Sequence, residues 1–263
     1  MVSFDQINLM TKRMHALQPL FLMFALIFTP LVWAVELTVS AATSLTQAFQ
    51  EIGQQFEAQN PDIQIRFNFA ASGALLQQII QGAPVDVFAS ADTETMDKAV
   101  VKGLIKPSDS QIFTTNRLVL VAAESNRKLE VKQLRDLKQP GIQRIAMGLP
   151  ASVPAGHYAR EALETAGLWA DIQAKIIGTQ NVRQALDYVA RGEVDVAFVY
   201  ATDLQAMRGK VRGLMNVPTP TPIRYPMAIL TQSEKQVASR RFLNFLLSKE
   251  GQRVLKKWGF GEG

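Results

Sequence analysis

Four parts of the chain run from a strand-like stretch, through a short polar turn, into residues with helical periodicity. These parts begin at "ELTVSAA", "IQIRFNFAA", "IQRIAMGLP" and "AKIIGTQ". After the first stretch, Leu45, Phe49 and Ile52 recur at the spacing of one helix face, and Pro61 ends that helix. Because strands that alternate with helices form parallel sheets, this repetition predicts an α/β fold.

Further strand-like segments follow the helices in both halves of the chain. They occupy residues 85–90, 117–123, 194–200 and 225–230. "VDVFASADTETM" and "VDVAFVYATDLQAM" are similar, and one lies in each half, which indicates two similar lobes. The proline-rich segment 216–226 is the candidate crossing between them. We therefore expect one lobe from residues 35–116 with 226–263 and the other from 117–225. The final stretch, "SRRFLNFLLSKEGQRVLKKWGF", predicts a single amphipathic helix.

Composition limits the class of protein. Hydrophobic residues make up 48% of the sequence and charged residues 19%, which suits a packed globular protein and excludes a disordered one. The formal net charge of +5 is spread along the chain without a basic cluster, so we expect no nucleic-acid partner. The sequence contains no cysteine, which excludes disulfides, thiol nucleophiles and cysteine metal sites.

Residues 1–34 have the layout of a secretory signal. Lys12 and Arg13 precede the apolar run 20–34, which ends in the small residue Ala34. A charged start, a short apolar middle and small residues at the end are typical of a signal peptide. We therefore expect cleavage after Ala34 and a mature protein of residues 35–263.

A membrane anchor is the alternative interpretation of this segment. Thr29 and Pro30 interrupt the apolar run, which is shorter than the roughly 20 residues that span a bilayer. The start codon stays open between Met1, Met10 and Met14, because the residues before Met10 have no recognisable pattern. Without a cysteine at the cleavage point we expect no lipid anchor, so the chain fits a soluble protein of a Gram-negative periplasm.

The starts of the predicted helices are the candidate ligand site. Ser44 and Ser72 occupy predicted N-cap positions, where a serine normally pairs with a free backbone donor. Ligands of α/β sheets bind beyond the carboxyl ends of the strands, where helix N-termini present free N–H groups and partial positive charge. Pro154, Ala155 and Gly156 form a predicted loop with little side chain, which would let the backbone approach a ligand. Helix starts from both lobes therefore predict a site for one small anion.

Groups suited to catalysis are few. His157 is the only histidine within residues 35–263, and we expect it on a solvated helix surface. Because a G-x-S-x-G motif is also missing, a Ser-His-Asp hydrolase is disfavoured and we expect the protein not to be an enzyme. Asp92 precedes a helix and should cap it. Asp86 and Asp195 lie inside apolar strands and need partners that the sequence does not identify.

Several segments together resemble the periplasmic molybdate-binding proteins of ABC transporters. They are "AATSLTQAF", "FAASGALLQQI", "GAPVDVFASAD", "VPAGHYAREAL" and "NVRQAL" with "VDVAFVY", in the order of that family. The resemblance covers nearly all of the chain after the signal segment. It implies a type II periplasmic binding fold, in which two α/β lobes, each a mainly parallel sheet flanked by helices, are joined by crossing strands. It also implies a tetrahedral oxyanion in the cleft between the lobes.

The resemblance assigns the oxyanion contacts by position. They fall on Ser44, Ser72, Ala155, Val182 and Tyr200. The two serines would offer hydroxyl and backbone donors, Tyr200 its phenol hydroxyl, and the other two residues their backbone N–H groups. All would contact the oxygens of the oxyanion, so no direct metal ligand and no cofactor are implied. The sequence departs from the family pattern at Thr43, where an alanine is more usual, and this threonine could add or displace a contact.

The function implied by the resemblance is that of a receptor. Two lobes would close over molybdate or tungstate, and the closed, monomeric protein would deliver it to an inner-membrane ABC transporter permease. Another tetrahedral oxyanion such as sulfate, or ferric iron, stays open as the ligand. Ferric sites favour clustered tyrosines, whereas here they are scattered at positions 158, 188, 200 and 225. The sensor domain of a cytoplasmic transcription regulator shares this fold, but it would carry a DNA-binding motif where this chain has an export signal.

Overall fold

The computed structural model describes residues 34–263. The predicted signal segment 1–34 lies outside the described residues except for Ala34, so its cleavage stays a prediction. The strands are β1 (Val35–Ala42), β2 (Ile63–Ala70), β3 (Val87–Ala89), β4 (Gln111–Thr115), β5 (Leu118–Ala123), β6 (Ile145–Gly148), β7 (Ile176–Thr179), β8 (Val196–Tyr200), β9 (Val211–Asn216) and β10 (Arg224–Ile229). The helices are α1 (Thr46–Gln59), α2 (Ser72–Ile80), α3 (Thr93–Val101), α4 (Pro154–Thr165), α5 (Trp169–Ile172), α6 (Val182–Ala190), α7 (Ala201–Ala206), α8 (Gln236–Leu247) and α9 (Lys249–Lys257). None of the helices in this part of the chain combines the length and apolarity that a bilayer crossing requires.

The strands of the described residues form two sheets with the same internal arrangement. The strand order is β2-β1-β3-β10-β4 in the first sheet and β7-β6-β8-β5-β9 in the second. In the first sheet β10 runs antiparallel to both of its neighbours, and in the second β5 does so. The other pairings are parallel. The predicted α/β fold with two sheets and flanking helices is therefore confirmed, but each sheet is mixed, because two of its four pairings are antiparallel.

Strand register places the helix starts side by side. β1 and β2 pair along their whole length and finish with Ala42 opposite Ala70, so both strands end at the same edge of the first sheet. The turn into α1 and the start of α2 lie directly beyond that edge. In the second sheet Gly148 of β6 lies opposite Thr179 of β7, and α4 and α6 begin shortly after these residues. Each sheet therefore brings two helix N-termini together beyond the carboxyl ends of its strands.

Two links connect the sheets. Residues 116–117 join β4 to β5, and residues 217–223 join β9 to β10. The links bond to each other, since Asn116 N donates to Ile223 O at 3.1 Å. The proline-rich segment thus runs from the second sheet back to the first. The exact limits of the two lobes stay a prediction, and β10 begins at Arg224.

The predicted apolar helix faces form the core. α1 packs on the first sheet through Phe49 and Phe56, which are buried and contact Phe242 of α8 edge-on with ring centroids 6.2 and 5.5 Å away. Such aromatic pairs add about 0.5–1.5 kcal/mol each to the area that they bury. In α6 the inner face is buried at Val182, Ala185, Leu186 and Val189. This packing holds the helices whose first turns form the candidate site.

The C-terminal segment consists of two helices. α8 ends at Leu247 and α9 begins at Lys249, with Ser248 in an extended conformation between them. Ser248 Oγ accepts a hydrogen bond from Gly251 N at 3.3 Å and so caps α9. The prediction of one continuous helix is wrong, because the apolar period continues across the break and conceals this cap.

Candidate ligand-binding site

A small cavity lies where the carboxyl edges of the two sheets face each other. All five residues proposed from the sequence line it: Ser44, Ser72, Ala155, Val182 and Tyr200. The volume of the cavity that the centre of a water molecule can occupy is about 10 Å³. This volume corresponds to roughly one water, so the walls are close together. Its lining contains no aspartate, glutamate, lysine or arginine.

A larger groove of about 410 Å³ lies between α3 and α4 and shares the lining residues Val153 and Pro154 with the cavity. Its charged side chains pair with each other: Lys98 Nζ lies 2.7 Å from Glu94 Oε1, and Arg160 Nε lies 2.7 Å from Glu164 Oε1. These groups are about half exposed, so water screens them and the pairs contribute little. The small cavity, where donors are buried and converge, is the better candidate for a specific site despite its size.

The two serines do not cap their helices. Ser44 lies inside a 3-10 turn, Thr43–Leu45, that separates β1 from α1, and the N-cap residue of α1 is Leu45. Ser72 is the first residue of α2, after Ala71 at the N-cap. Neither N-cap makes a side-chain capping bond. The predicted N-cap positions are therefore wrong, and both hydroxyls are available for other contacts.

A hydrogen-bond chain from the link between the sheets orients Ser44. Asn116 Nδ2 donates to Tyr225 Oη at 3.1 Å, and Tyr225 Oη lies 2.9 Å from Ser44 Oγ. The orientation of the Asn116 amide follows from Arg117 N, which donates to Asn116 Oδ1 at 2.9 Å. Because the Tyr225 oxygen already accepts from Asn116, its own hydrogen can be donated to Ser44. The hydroxyl hydrogen of Ser44 is then free to point into the cavity.

Ser72 is arranged in the same way by the backbone. Ala91 N, which follows β3, donates to Ser72 Oγ at 3.0 Å, and Ser72 is fully buried. Its oxygen is thereby used as an acceptor, and its hydrogen remains available to a ligand. Ser72 Oγ therefore has a protein donor and Ser44 Oγ can receive one from Tyr225, so both serines can themselves donate inward.

Tyr200 faces the cavity from the end of β8. Its Oη is buried and has no hydrogen-bond partner among the described residues. Burial, and to a lesser degree the neighbouring Tyr225, raises the pKa of this phenol well above its ordinary value, so it stays protonated and can donate. Tyr200 N donates to Asp203 Oδ2 at 3.0 Å, which holds the start of α7 against the strand end.

Ala155 and Val182 contribute through the backbone. Both lie in the first turn of a helix, where N–H groups have no acceptor within the helix. In α4 the first residue, Pro154, has no N–H, and Gly156 N donates to Val153 O at 2.9 Å. The N–H of Ala155 is therefore the one that this turn can offer to a ligand. In α6 the N-cap Asn181 accepts from Gln184 N at 3.0 Å, which leaves Val182 N.

The residues 154–156 form helix and not a loop, because α4 already begins at Pro154. The sequence predicted that Gly156 makes room for a ligand, whereas in the structure it makes room for packing between two elements. A Cβ at Gly156 would lie 1.9 Å from Gly148 O, so the glycine lets α4 approach the end of β6. Pro154 and Ala155 line the cavity as expected.

Polar contacts cross between elements of the first and the second sheet. Gly73 N of α2 donates to Ser152 O, before α4, at 3.1 Å. Arg183 Nη2 of α6 donates to Gln47 Oε1 of α1 at 2.7 Å. At the groove, His157 Nε2 lies 3.5 Å from Glu94 Oε2, and the histidine side chain is partly exposed. The cavity is therefore held shut by backbone as well as side-chain contacts.

Asn116 and Tyr225 are the participants that sequence reasoning missed. Asn116 lies in one link between the sheets and Tyr225 lies just after the other, both far along the chain from Ser44, and nothing in the local pattern marks them. The tyrosines are also less scattered than their positions suggest, because the rings of Tyr200 and Tyr225 lie 5.9 Å apart. Within residues 34–263, no group of three or more histidine, aspartate or glutamate residues could hold a metal ion.

Comparison with known proteins places this geometry in a family. The family described as bacterial extracellular solute-binding protein matches residues 37–261. The "Putative ABC transporter substrate-binding lipoprotein YvgL" of Bacillus subtilis is 37% identical over 86% of this chain and 86% of its own. The molybdate-binding protein ModA of Escherichia coli is 34% identical over 86% of this chain and 88% of its own. The structure of the Azotobacter vinelandii periplasmic molybdate-binding protein superimposes with a TM-score of 0.78 at 24% identity, over 86% of this chain and 99% of that one. The chain therefore belongs to the family of bacterial extracellular solute-binding proteins that includes the ModA molybdate-binding proteins.

Proposed function

We propose that this protein captures molybdate, and equally tungstate, in the cavity between its sheets. The observation that carries this proposal is a buried lining that offers donors and no charged side chain. A fully deprotonated dianion offers only acceptors, so it matches the hydroxyls of Ser44, Ser72 and Tyr200 and the N–H groups of Ala155 and Val182. Hydrogen bonds to a charged group are about twice as strong as neutral ones.

The orientation of the serines supports selection against phosphate. Near pH 7 hydrogen phosphate carries a proton that needs an acceptor. The oxygens of Ser44 and Ser72 already engage Tyr225 Oη and Ala91 N. Asn181 Oδ1, at the same cavity, already accepts from Gln184 N. Among the lining side chains, the hydroxyls of Thr43 and Tyr200 have no partner and are the remaining acceptors for this proton. A buried proton without an acceptor would cost about 1–3 kcal/mol, so we expect phosphate to bind more weakly than a fully deprotonated dianion. Sulfate lacks that proton, so only the size of the cavity could distinguish it from molybdate.

Identity to relatives named as molybdate-binding proteins gives independent support. By the same relationship we propose a periplasmic receptor without enzymatic activity, exported by a signal peptide cut after Ala34, that works as a monomer and hands its ligand to an ABC transporter permease. The two lobes of residues 35–116 with 226–263 and 117–225 would close over the ligand and open to release it.

Ferric iron is the weaker alternative. It would need ionised phenolates, whereas burial raises the pKa of both Tyr200 and Tyr225 well above the ordinary value. The Tyr225 oxygen is also engaged by Asn116 and Ser44. The tyrosine pair is therefore suited to hydrogen bonding and not to metal coordination.

A thermal-shift screen of the purified protein tests this assignment. A ligand that binds only the folded state stabilises it by about 4 kcal/mol at a thousandfold excess over Kd. We expect molybdate and tungstate to raise the melting temperature by several degrees at sub-millimolar concentration. Sulfate and ferric citrate should do little, and phosphate nothing. A large shift with phosphate, or none with molybdate, would contradict the proposal.

A further inference from the structure

Thr43 presents a second unpaired hydroxyl to the same cavity. It begins the 3-10 turn that also contains Ser44, and it lines the cavity. Its Oγ1 is buried and has no hydrogen-bond partner among residues 34–263. Tyr200 Oη, at the end of β8 in the other sheet, is likewise buried and without a hydrogen-bond partner among these residues. Two buried and unpaired hydroxyls therefore reach one cavity from its two sides.

The hydroxyl of Thr43 has no structural use within the turn. The turn is closed by the Thr43 carbonyl, which accepts from Thr46 N and also from Thr46 Oγ1 at 2.6 Å. A valine has the same shape as threonine and would fill the space without a polar atom. A buried hydroxyl without a partner destabilises the folded protein, so its presence here calls for a partner that binds.

We propose that Thr43 Oγ1 is a further ligand of the bound oxyanion, beyond the five contacts assigned above. It would donate to an oxygen of the anion beside the one that Ser44 contacts, because the two residues are consecutive in one turn. A hydroxyl donor on the side of the first sheet then faces Tyr200 on the side of the second. This inference rests on the proposed function, since it requires an oxyanion in this cavity.

The test compares Thr43→Val with the control Thr43→Ser, in protein expressed from the full chain. Molybdate affinity is measured by calorimetry, and the melting temperature without ligand is measured in parallel. We expect Thr43→Val to weaken binding roughly ten- to a hundredfold, as for the loss of a hydrogen bond to a charged group. Its melting temperature without ligand should equal or exceed that of the wild type. Thr43→Ser should stay within about threefold of the wild-type affinity, since it keeps the donor.

The sign of the stability change separates a ligand from a structural residue. Unchanged molybdate affinity in Thr43→Val would overturn the inference, and so would weakened binding accompanied by a lower melting temperature without ligand. Failure of the wild-type protein to bind molybdate would instead overturn the proposed function itself. If the wild type binds sulfate, the same variants measured with sulfate decide the role of Thr43.

Discussion

Substitution of Gly73 by alanine should weaken ligand binding without any contact to the ligand. Gly73 lies in α2 on the side of the first sheet, and its N–H donates to Ser152 O at 3.1 Å across the mouth of the cavity. A Cβ at Gly73 would lie 2.8 Å from Ser152 O and 2.9 Å from Ser152 Cα. Both neighbours belong to the backbone, so they cannot turn away as a side chain would. The closed cleft must therefore widen to accept the methyl group.

The size of the effect follows from two losses in the closed form. The backbone hydrogen bond contributes about 0.5–1.5 kcal/mol, and overpacking costs about 1–3 kcal/mol. Together they disfavour the closed form by roughly 2–4 kcal/mol, which corresponds to an affinity roughly thirty- to several-hundredfold lower. In an open form that separates α2 from Ser152, the methyl group would no longer meet the Ser152 backbone, and alanine in a helix is favoured over glycine by about 1 kcal/mol. The protein without ligand should therefore be as stable as the wild type or more stable.

The assay is calorimetric titration with molybdate, together with urea unfolding of the protein without ligand. Gly141→Ala is the matched control, because a Cβ there would meet nothing within 4 Å. X-ray scattering should show that ligand compacts the wild type and the control more than Gly73→Ala. Affinity within threefold of the wild type would refute this account of closure. A parallel loss of stability without ligand would do the same, because it would place the clash in the fold and not in closure.

Three more predictions follow from the structure. Tyr225→Phe should weaken molybdate binding about tenfold, because the Ser44 hydrogen loses its orientation. In a Ser44→Ala background the same substitution should have little further effect. Additive losses in this double-mutant cycle would contradict the proposed chain of hydrogen bonds. Burial raises the pKa of Asp203 to about 6, above the ordinary value of 3.8, so its ionisation destabilises the folded state. The contribution of Asp203 to the free energy of unfolding should be full below about pH 4 and should fall by about 3 kcal/mol as the pH rises through 6. Urea unfolding at pH 4 and 8 should show this loss in the wild type and not in Asp203→Asn. Equal pH profiles of the two proteins would refute this prediction. Protein recovered from the periplasm should have the intact mass of a chain that starts at Val35, whereas a full-length mass in the membrane fraction would overturn cleavage after Ala34.

Local patterns predicted the features that depend on near neighbours in the chain. The alternation of strands and helices predicted an α/β fold with two sheets, because apolar periodicity reports which face of each element is buried. It did not predict the antiparallel strands β10 and β5, which make both sheets mixed. Asp92 caps α3 as expected, since its carboxylate accepts from Thr95 N only three residues away at 2.8 Å. The same periodicity hid the break at Ser248, because two consecutive amphipathic helices can share one pattern.

Other features depend on residues that the fold brings together over long distances. The buried Asp86 receives hydrogen bonds from Thr38 N at 2.8 Å and Ser233 Oγ at 2.7 Å, from positions far apart along the chain. Gly156 is required by Gly148 O, which only the packing of α4 on β6 brings near. No local pattern contains such partners, because strand order and register decide them.

The candidate site also combines features that local sequence predicts with features that only the fold decides. The sequence by itself determined the small and polar residues at four helix starts, and from them we predicted an anion site beyond the strand ends. Only the tertiary structure decided the direction in which those residues can donate. Tyr225 of β10 reaches Ser44 Oγ at 2.9 Å, and Ala91 N after β3 reaches Ser72 Oγ at 3.0 Å. The strand order β2-β1-β3-β10 makes both contacts possible, because Ser44 follows β1 and Ser72 follows β2. A hydroxyl whose oxygen already accepts a hydrogen bond from the protein can use its own hydrogen only as a donor to the ligand. The groups that bond to these oxygens come close only once the sheet has formed.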